Sequence, residues 1–365
     1  GQIDAATDGP PEYVYERRPS RGRESYLVTP EDDAEPVVSV VMPTLNEEEG
    51  IGECIDRIEA ALEDLEVTGE IIVSDSSDDR TPEIARERGA RVVEPDEAGY
   101  GAAYQYGFDH VRGEIVAMGD ADTTYDFGEL PKLFELVASG EADMAMGSRL
   151  DGEIKPGAMP SLHQYVGNPL LTRFLNAFYD AGVSDAHSGM RVMTAEALEE
   201  MRLGTTGMEF ASEMIMEAGA RDLEIAEEPI TYHEREGDAT LDSFEDGWRH
   251  VRFMLVNAPG YLFSVPGAVL GALGVLVMAF ALFDVQFGAT SFGVHSMIAA
   301  SMLTIAAFQV VSLGIFSTIA GDPIRKPTDP ATTWITENLT LESGVTAGVV
   351  VFTLGAGYAT FLVTR

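Results

Sequence analysis

The feature that most constrains this chain is its apolar C-terminal third. Leu262–Phe283 and Ser296–Ala320 contain no charged residue, and neither does Gly344–Val363. A bilayer is crossed by about 20 apolar residues, so the first two are of full span length and the third is adequate. The sequence therefore predicts a membrane region over residues 262–365, with spans near 262–283, 296–320 and 344–363. Arg249 and Arg252 precede the first span and Arg325 and Lys326 follow the second, while the connection Asp284–Val294 has no Lys or Arg. By the positive-inside rule, residues ahead of the first span and the 321–343 connection are expected in the cytoplasm. That topology hides the glycosylation sequon Asn338-Leu-Thr340 from the outer side. Three spans put Arg365 outside, which raises the expectation of a fourth span beyond it.

The 365 residues leave room for one large water-exposed domain ahead of the spans. Its charge is extreme: 61 Asp and Glu against 23 Lys and Arg, a net of −38, with only Lys132, Lys155 and Lys326 as lysines. Such a balance excludes a nucleic-acid groove, because nothing would neutralise the phosphates. It fits a very salty cytoplasm, where a Debye length of about 3 Å lets dense carboxylates coexist. Cys54 is the sole cysteine, which rules out an intrachain disulfide and a thiolate zinc cluster. Residues 1–36 are largely polar, with no apolar signal stretch, and are expected to be a mobile leader.

Between these parts, strand and helix patterns alternate. Strands are predicted at Val37–Met42 (stopped by Pro43), Glu70–Ser74, Arg91–Glu94, Glu114–Met118 and Asp143–Met146. Helices are predicted at Glu47–Leu65, Thr81–Arg88, Ala102–Val111 and Phe127–Ser139, the first from the spacing of Ile51, Ile55, Ile58, Leu62 and Leu65. This alternation implies an open α/β, mostly parallel sheet flanked by helices. Ligands of such sheets collect at the carboxyl ends of the strands. Residues 148–245 are less regular, with helices near 167–180 and 208–219 and a strand near 223–232.

Polar motifs stand at the predicted strand ends. Pro43-Thr-Leu-Asn46-Glu47-Glu48 follows the first strand, and Asp75-Ser-Ser-Asp78-Asp79 follows the second. Asn, Asp and Ser suit ordinary turns, but acceptors at two adjacent strand ends can also hold a base and a ribose. Asp120-Ala-Asp122 follows the apolar run Glu114–Met118. Two carboxylates there are natural ligands for Mg²⁺ or Mn²⁺ carrying a diphosphate, which would stabilise a leaving nucleotide. Gly99-Tyr-Gly101 does not fit a nicotinamide or flavin fingerprint, which belongs after the first strand and wants a third glycine. Its glycines are expected to let backbone approach a diphosphate and to start a helix.

The ordered motifs resemble family 2 glycosyltransferases of the GT-A fold. Gly147-Ser148-Arg149, Asp185-Ala-His-Ser188-Gly189-Met-Arg191, Met208-Glu209-Phe-Ala-Ser-Glu213, Pro229-Ile-Thr-Tyr-His233-Glu-Arg235 and Asp246-Gly-Trp248-Arg249-His-Val-Arg252 continue the series. Together they look like the dolichyl-phosphate mannose or glucose synthase branch, over roughly residues 37–363. The resemblance implies a GT-A domain at 37–245, a juxtamembrane amphipathic helix at 246–261 and the spans beyond. It implies a nucleotide-sugar pocket lined by Pro43, Asn46, Glu48, Asp75, Gly101 and Asp120, and a metal on Asp120 and Asp122. It implies an acceptor phosphate met by Arg149, Ser188, Arg191 and Arg235, with Asp122, Arg149 and Arg235 carrying catalysis. Arginine suits phosphate oxygens through paired hydrogen bonds.

The chain departs from the family pattern in places. Gly237-Asp-Ala-Thr240 lacks the Ser and Lys often found there, Thr124 replaces a frequent Gln, and the acceptor loop presents His163, Gln164 and Asn168 instead of a basic pair. The absence of Gln-X-X-Arg-Trp disfavours a processive polysaccharide synthase. The expected reaction is single, inverting transfer of a hexose from GDP-mannose or UDP-glucose to a polyprenyl (dolichyl) monophosphate, feeding surface glycosylation. One rival is a glycosyltransferase with another lipid acceptor. The other is a non-catalytic nucleotide-sugar-binding membrane protein, which would tolerate loss of Asp122.

Overall fold

The computed structural model describes residues 25–179, 181–235, 243–258, 260–287, 290–320, 338 and 340–364. Residues 1–24, Gly237–Thr240 and nearly all of the 321–343 connection lie outside them. The chain divides into two compact units, Gly1–Met254 and Leu255–Arg365.

The first unit is built on a seven-stranded sheet of order β3-β2-β1-β4-β6-β5-β7. Its strands are β1 (Val38–Thr44), β2 (Gly69–Asp75), β3 (Arg91–Val93), β4 (Ile115–Met118), β5 (Met144–Ile154), β6 (Arg191–Thr194) and β7 (Ile225–Tyr232). β1 pairs in parallel with both β2 and β4, and β2 with β3. β6 alone runs against its neighbours β4 and β5, while β5 and β7 are parallel. β1, β2 and β4 are buried along almost their whole length, as strands covered on both faces are.

Helix α1 (Ile51–Leu65) buries all five residues of the predicted stripe, Ile51, Ile55, Ile58, Leu62 and Leu65. It starts four residues later than predicted because Asn46, at φ 60°, opens a turn closed by Glu47 O accepting from the amides of Gly50 and Ile51. Pro43 does not stop β1. It pairs opposite Ser74, and the strand runs one residue further. A proline is tolerated so close to a strand end because few ladder bonds remain to be made.

The expected mobile leader is corrected over its described part, residues 25–36. Leu27 bridges to Gly69, the Val28 amide donates to Gly69 O at 2.7 Å, and both apolar side chains are buried. The short apolar run Tyr26–Val28 had been outweighed by its polar surroundings.

Further helices are α2 (Thr81–Glu87), α3 (Tyr100–Phe108), α4 (Leu130–Ala138), α5 (Asn168–Tyr179), α6 (Ala195–Met201), α7 (Phe210–Ala220) and α8 (Ser243–Val256). β6 and α6 fall in the stretch that reads as irregular, since four strand residues lead directly into a seven-residue helix. Cys54 is buried on α1, and burial pushes its thiol up to about 12. Thiolate is the reactive form, so Cys54 should resist maleimide in the native protein and label on unfolding, as read by mass spectrometry.

The second unit contains α9 (Val265–Leu282), a β8–β9 hairpin (Gln286–Phe287 with Thr290–Ser291), α10 (Val294–Ala320) and a last helix, Leu341–Val363. Three segments, Leu262–Leu282, Val294–Ser317 and Glu342–Phe361, are long and apolar enough to cross a membrane. Glycines bring α9 against α10: a Cβ on Gly274 would lie 2.4 Å from Thr304 Oγ1, and one on Gly267 2.7 Å from Val311 Cγ2. Small residues at the contact allow the close approach that stabilises helix pairs in lipid.

Candidate active site

The strand ends come together as the alternating pattern requires. Thr44 and Asp75 close β1 and β2 side by side. Asp75 is buried, and its Oδ1 accepts from Thr44 Oγ1 at 2.7 Å and Ser77 Oγ at 2.6 Å. The Asn46 amide donates to Ser77 Oγ at 2.7 Å, and Asn46 Oδ1 accepts from the Asp78 amide at 2.9 Å. The Glu48 amide donates to Asp79 Oδ2 at 3.2 Å. The loops after β1 and β2 thus form one laced rim beside the half-buried Pro43.

Asp120 and Asp122 follow β4, the neighbour of β1 on its other side. Asp120 Oδ1 accepts from Tyr100 Oη at 2.9 Å and Tyr104 Oη at 3.4 Å. Asp122 Oδ1 accepts from the Thr124 amide at 3.1 Å and Thr124 Oγ1 at 2.5 Å. Thr124 therefore braces the second aspartate. Burial, and then the charge of Asp122, push the Asp120 carboxyl up to about 6.

β7 supplies the cation. The His233 amide donates to Thr124 O at 2.9 Å, and Tyr232 bridges to Tyr125, so the end of β7 is tied to the Asp122 loop. Arg235 follows: its Nη2 donates to Glu47 Oε1 at 2.5 Å, and its Nε lies 3.6 Å from Asp122 Oδ2. Glu47 is a site residue that the sequence reading passed over in favour of Asn46 and Glu48. Burial is the main force pushing its carboxyl up to about 7; Arg235 opposes the shift, and Asp122 and Asp120 add to it. The missed signal was the adjacency of Glu47 to the rim motif together with a lone arginine far downstream.

The raised Glu47 carboxyl has a stability consequence. A group raised in the folded state costs nothing below its unfolded value, near 4.5, and destabilises increasingly as pH rises through about 7. Glu47→Gln should therefore gain in melting temperature relative to wild type between pH 5 and pH 8; an equal difference at both pH values would refute the shift.

Arg149 sits on β5 in a bidentate grip from Asp185, with Nε to Oδ2 at 2.7 Å and Nη2 to Oδ1 at 2.9 Å. Its guanidinium carbon lies 5.2 Å from the Tyr232 ring centroid, within cation–π range. Burial alone would raise the Asp185 carboxyl, but the Arg149 guanidinium more than reverses this and holds it below the usual carboxylate range.

One expectation is corrected by this geometry. Arg191 does not face an acceptor. It is fully buried on β6 and donates to the carbonyls of Ser188, Ala186 and Ala211, each at 3.0 Å. Its sequence neighbours made a turn whose carbonyls point inward, and the guanidinium satisfies them. Ser188 is buried as well, and its Oγ has no partner among the described residues. Gly99 and Gly101 stand at the start of α3 as expected, with their Cβ sides covered: a Cβ on Gly101 would lie 2.3 Å from Thr205 O, and one on Gly99 2.3 Å from Thr206 O. These glycines let the 204–207 loop pack on the start of α3. Glu213 holds that loop by accepting from the Gly204 and Thr205 amides and from Thr205 Oγ1 at 2.6 Å.

The donor set fits a hard divalent cation. Asp120 and Asp122 offer only carboxylate oxygens, the choice of Mg²⁺ and Mn²⁺. No group of three or more His, Cys, Asp or Glu that could hold a metal occurs among the described residues. Two carboxylates leave coordination positions for phosphate oxygens and water, as Mg²⁺ prefers. Burial and then the Asp122 charge raise Asp120, and a cation would offset both.

The sheet order, with carboxylates gathered at its strand ends, is that of the GT-A fold. Residues 39–202 match Glycosyl transferase family 2. The low-salt glycan biosynthesis hexosyltransferase of Haloferax volcanii is 62% identical over 336 residues, covering 92% of this chain and 81% of that protein. The dolichyl-phosphate hexose transferase of the same organism is 36% identical over 212 residues, covering 58% of this chain and 89% of its own length. Mannosyl-3-phosphoglycerate synthase from Rubrobacter xylanophilus superposes with a TM-score of 0.50 at 22% identity, over 60% of this chain and 73% of that one, a likeness of fold. The chain belongs to glycosyl transferase family 2 and is a glycosyltransferase.

Proposed function

We infer that the protein transfers one hexose from a nucleotide sugar to a polyprenyl (dolichyl) monophosphate at the cytoplasmic face of a membrane, with inversion at the anomeric carbon. The observation that carries this reading is the convergence of Asp120, Asp122, Glu47 and Arg235 at the carboxyl ends of β1, β4 and β7, in a chain with three span-length helices. Relatives named for dolichyl-phosphate hexose transfer and dodecaprenyl-phosphate galacturonate synthesis support the acceptor class.

In this reading the rim of Asn46, Glu48 and Asp75 binds the nucleoside, and Asp120 and Asp122 hold Mg²⁺ or Mn²⁺ against the diphosphate. The cation supplies charge neutralisation of the departing nucleotide diphosphate. Arg235 holds the acceptor phosphate close to Asp122, exchanging its Glu47 contact for phosphate oxygens. Arg149 uses the N–H groups left over from Asp185 to fix that phosphate's orientation. A phosphate monoester with its second pKa near 6 is already a nucleophile at neutral pH. The chain's own work is therefore positioning and charge stabilisation.

The test is transfer of labelled sugar from GDP-mannose, UDP-glucose and related donors to dolichyl phosphate at high salt with Mg²⁺ or Mn²⁺. A lipid-extractable product from one donor is expected. Tight donor binding with no product from any donor would favour a nucleotide-sugar sensor. Product on a lipid lacking the phosphate would favour the other acceptor class.

A further inference from the structure

Three polar side chains outside the carboxylate cluster form a bridge with no part in the reaction above. Ser212, on α7, holds two imidazoles through one hydroxyl. Its Oγ lies 3.2 Å from His187 Nε2 and 2.8 Å from His250 Nδ1. The two rings meet edge to face with centroids 4.9 Å apart. Ser212 and His250 are both buried. Burial, with His250 second, pushes His187 down to about 3, so the ring is neutral and carries one N–H.

The hydrogen-bond network assigns that proton. His187 Nδ1 is enclosed and has no partner among the described residues. Enclosed orphan donors are rarer than orphan acceptors, so the proton belongs on Nε2. Ser212 Oγ then accepts from His187, which leaves its own O–H to face His250 Nδ1 at 2.8 Å. The bridge joins the two rings by geometry.

Its two ends are in different functional places. His187 belongs to the Asp185–Arg191 segment, in which Asp185 grips Arg149 and the Gly189 amide donates to Tyr125 Oη at 2.7 Å. That segment packs directly on the carboxylate cluster, since a Cβ on Gly189 would lie 3.0 Å from Asp120 Oδ2. His250 belongs to α8, the helix that leads in sequence into the first apolar span. On the same helix, Trp248 is 60% exposed, and Arg249 and Arg252 are exposed as well.

We propose that His250, acting through Ser212 and His187, is a positioning residue for the acceptor phosphate: seating of α8 sets the Asp185–Arg191 segment and with it Arg149. The proposal rests on the acceptor reading given under the proposed function. Loss of the single Ser212 hydroxyl would remove the link that the two imidazoles share, a penalty concentrated on the two segments being joined.

The experiment uses the full chain in lipid nanodiscs at high salt, with variants Ser212→Ala, His250→Ala and His250→Gln. Ser212→Ala removes only a hydroxyl, which keeps the test open if His250→Ala folds poorly. Amide hydrogen exchange over residues 185–191 is compared with that over β1 and β2, and kinetics are run with dolichyl phosphate and the nucleotide sugar. Ser212→Ala and His250→Ala should speed exchange in 185–191 alone and lower kcat/KM for dolichyl phosphate about tenfold or more, with donor KM changed by less than about twofold. His250→Gln, which keeps an acceptor for the serine hydroxyl, should recover most of both. Unchanged exchange in 185–191 in both alanine variants overturns the proposal, and so does an equal loss for donor and acceptor. If wild type gives no lipid-linked product, the acceptor reading fails, and the exchange arm still decides whether α8 and the segment are coupled.

Discussion

Asp122→Asn yields a folded protein whose transfer rate falls by at least about 10³-fold, equivalent to about 4 kcal/mol of lost transition-state stabilisation. The side chain keeps its size, and its retained carbonyl oxygen can still accept from Thr124, so the loop after β4 holds its shape. What disappears is half of the paired negative charge that makes a divalent cation welcome. Leaving-group departure then lacks its neutralising charge, a deficit not compensated by tighter acceptor binding. Titration calorimetry with Mn²⁺ in the presence of the nucleoside diphosphate should show the cation bound far more weakly, while the melting temperature stays within a few degrees. Retention of transfer would remove Asp122 from the chemistry and leave a site that only binds its donor.

The variant also changes the partner of Arg235. In the present state that guanidinium lies between Glu47 and Asp122, occupying with its own charge part of the field of three carboxylates. An arginine so placed can exchange these contacts for phosphate oxygens once a cation takes over the neutralisation. In the proposed reaction this exchange would give Glu47, which lies beside the two aspartates, the role of holding Arg235 until the phosphate arrives.

How much of this was legible beforehand follows from what each residue answers to. The strands β1 to β5 and the position of Asp120 and Asp122 at a strand end could be read because period and burial dictate them locally. An apolar run followed by acidic residues means a strand end whatever else the chain does. The Thr44–Asp75 and Asn46–Asp78 contacts were implied once β1 and β2 were adjacent and parallel. Arg191 and Gly101 were different. Their motifs suggested a ligand, but Arg191 also donates to the Ala211 carbonyl and the 204–207 loop covers the Cβ side of Gly101, both from segments outside those motifs. Glu47 was hidden for the converse reason, since its partner Arg235 lies 188 positions away. β6 was missed because four residues carry too little periodicity to announce a strand, and its antiparallel direction is set by the packing of α6 and α7.

The second large effect concerns a pair whose role is divided between fold and function. Asp185→Asn should destabilise the protein by about 3–5 kcal/mol, because it strands the Arg149 guanidinium without its countercharge in a buried place. At about 2–4 °C per kcal/mol for a domain of this size, the melting temperature should fall by roughly 10 °C. The sign with pH follows from the depressed Asp185 carboxyl. Its stabilisation is present above the unfolded carboxylate value and is lost as pH falls through the folded one, so wild type and variant should converge in acid.

A structural pair and a phosphate-binding arginine make different predictions for the double replacement. Arg149→Met with Asp185→Leu exchanges a buried ion pair for apolar groups of similar volume, which is often neutral or stabilising. The double variant should therefore recover most of the melting temperature that Asp185→Asn loses. It should not recover transfer to dolichyl phosphate, because the N–H groups beyond the two given to Asp185 have gone with the guanidinium. Recovery of both stability and transfer would make Arg149 a buried strut and leave Arg235 alone to meet the acceptor. Recovery of stability without transfer, and with donor affinity by titration calorimetry intact, would put Arg149 on the acceptor side of the site.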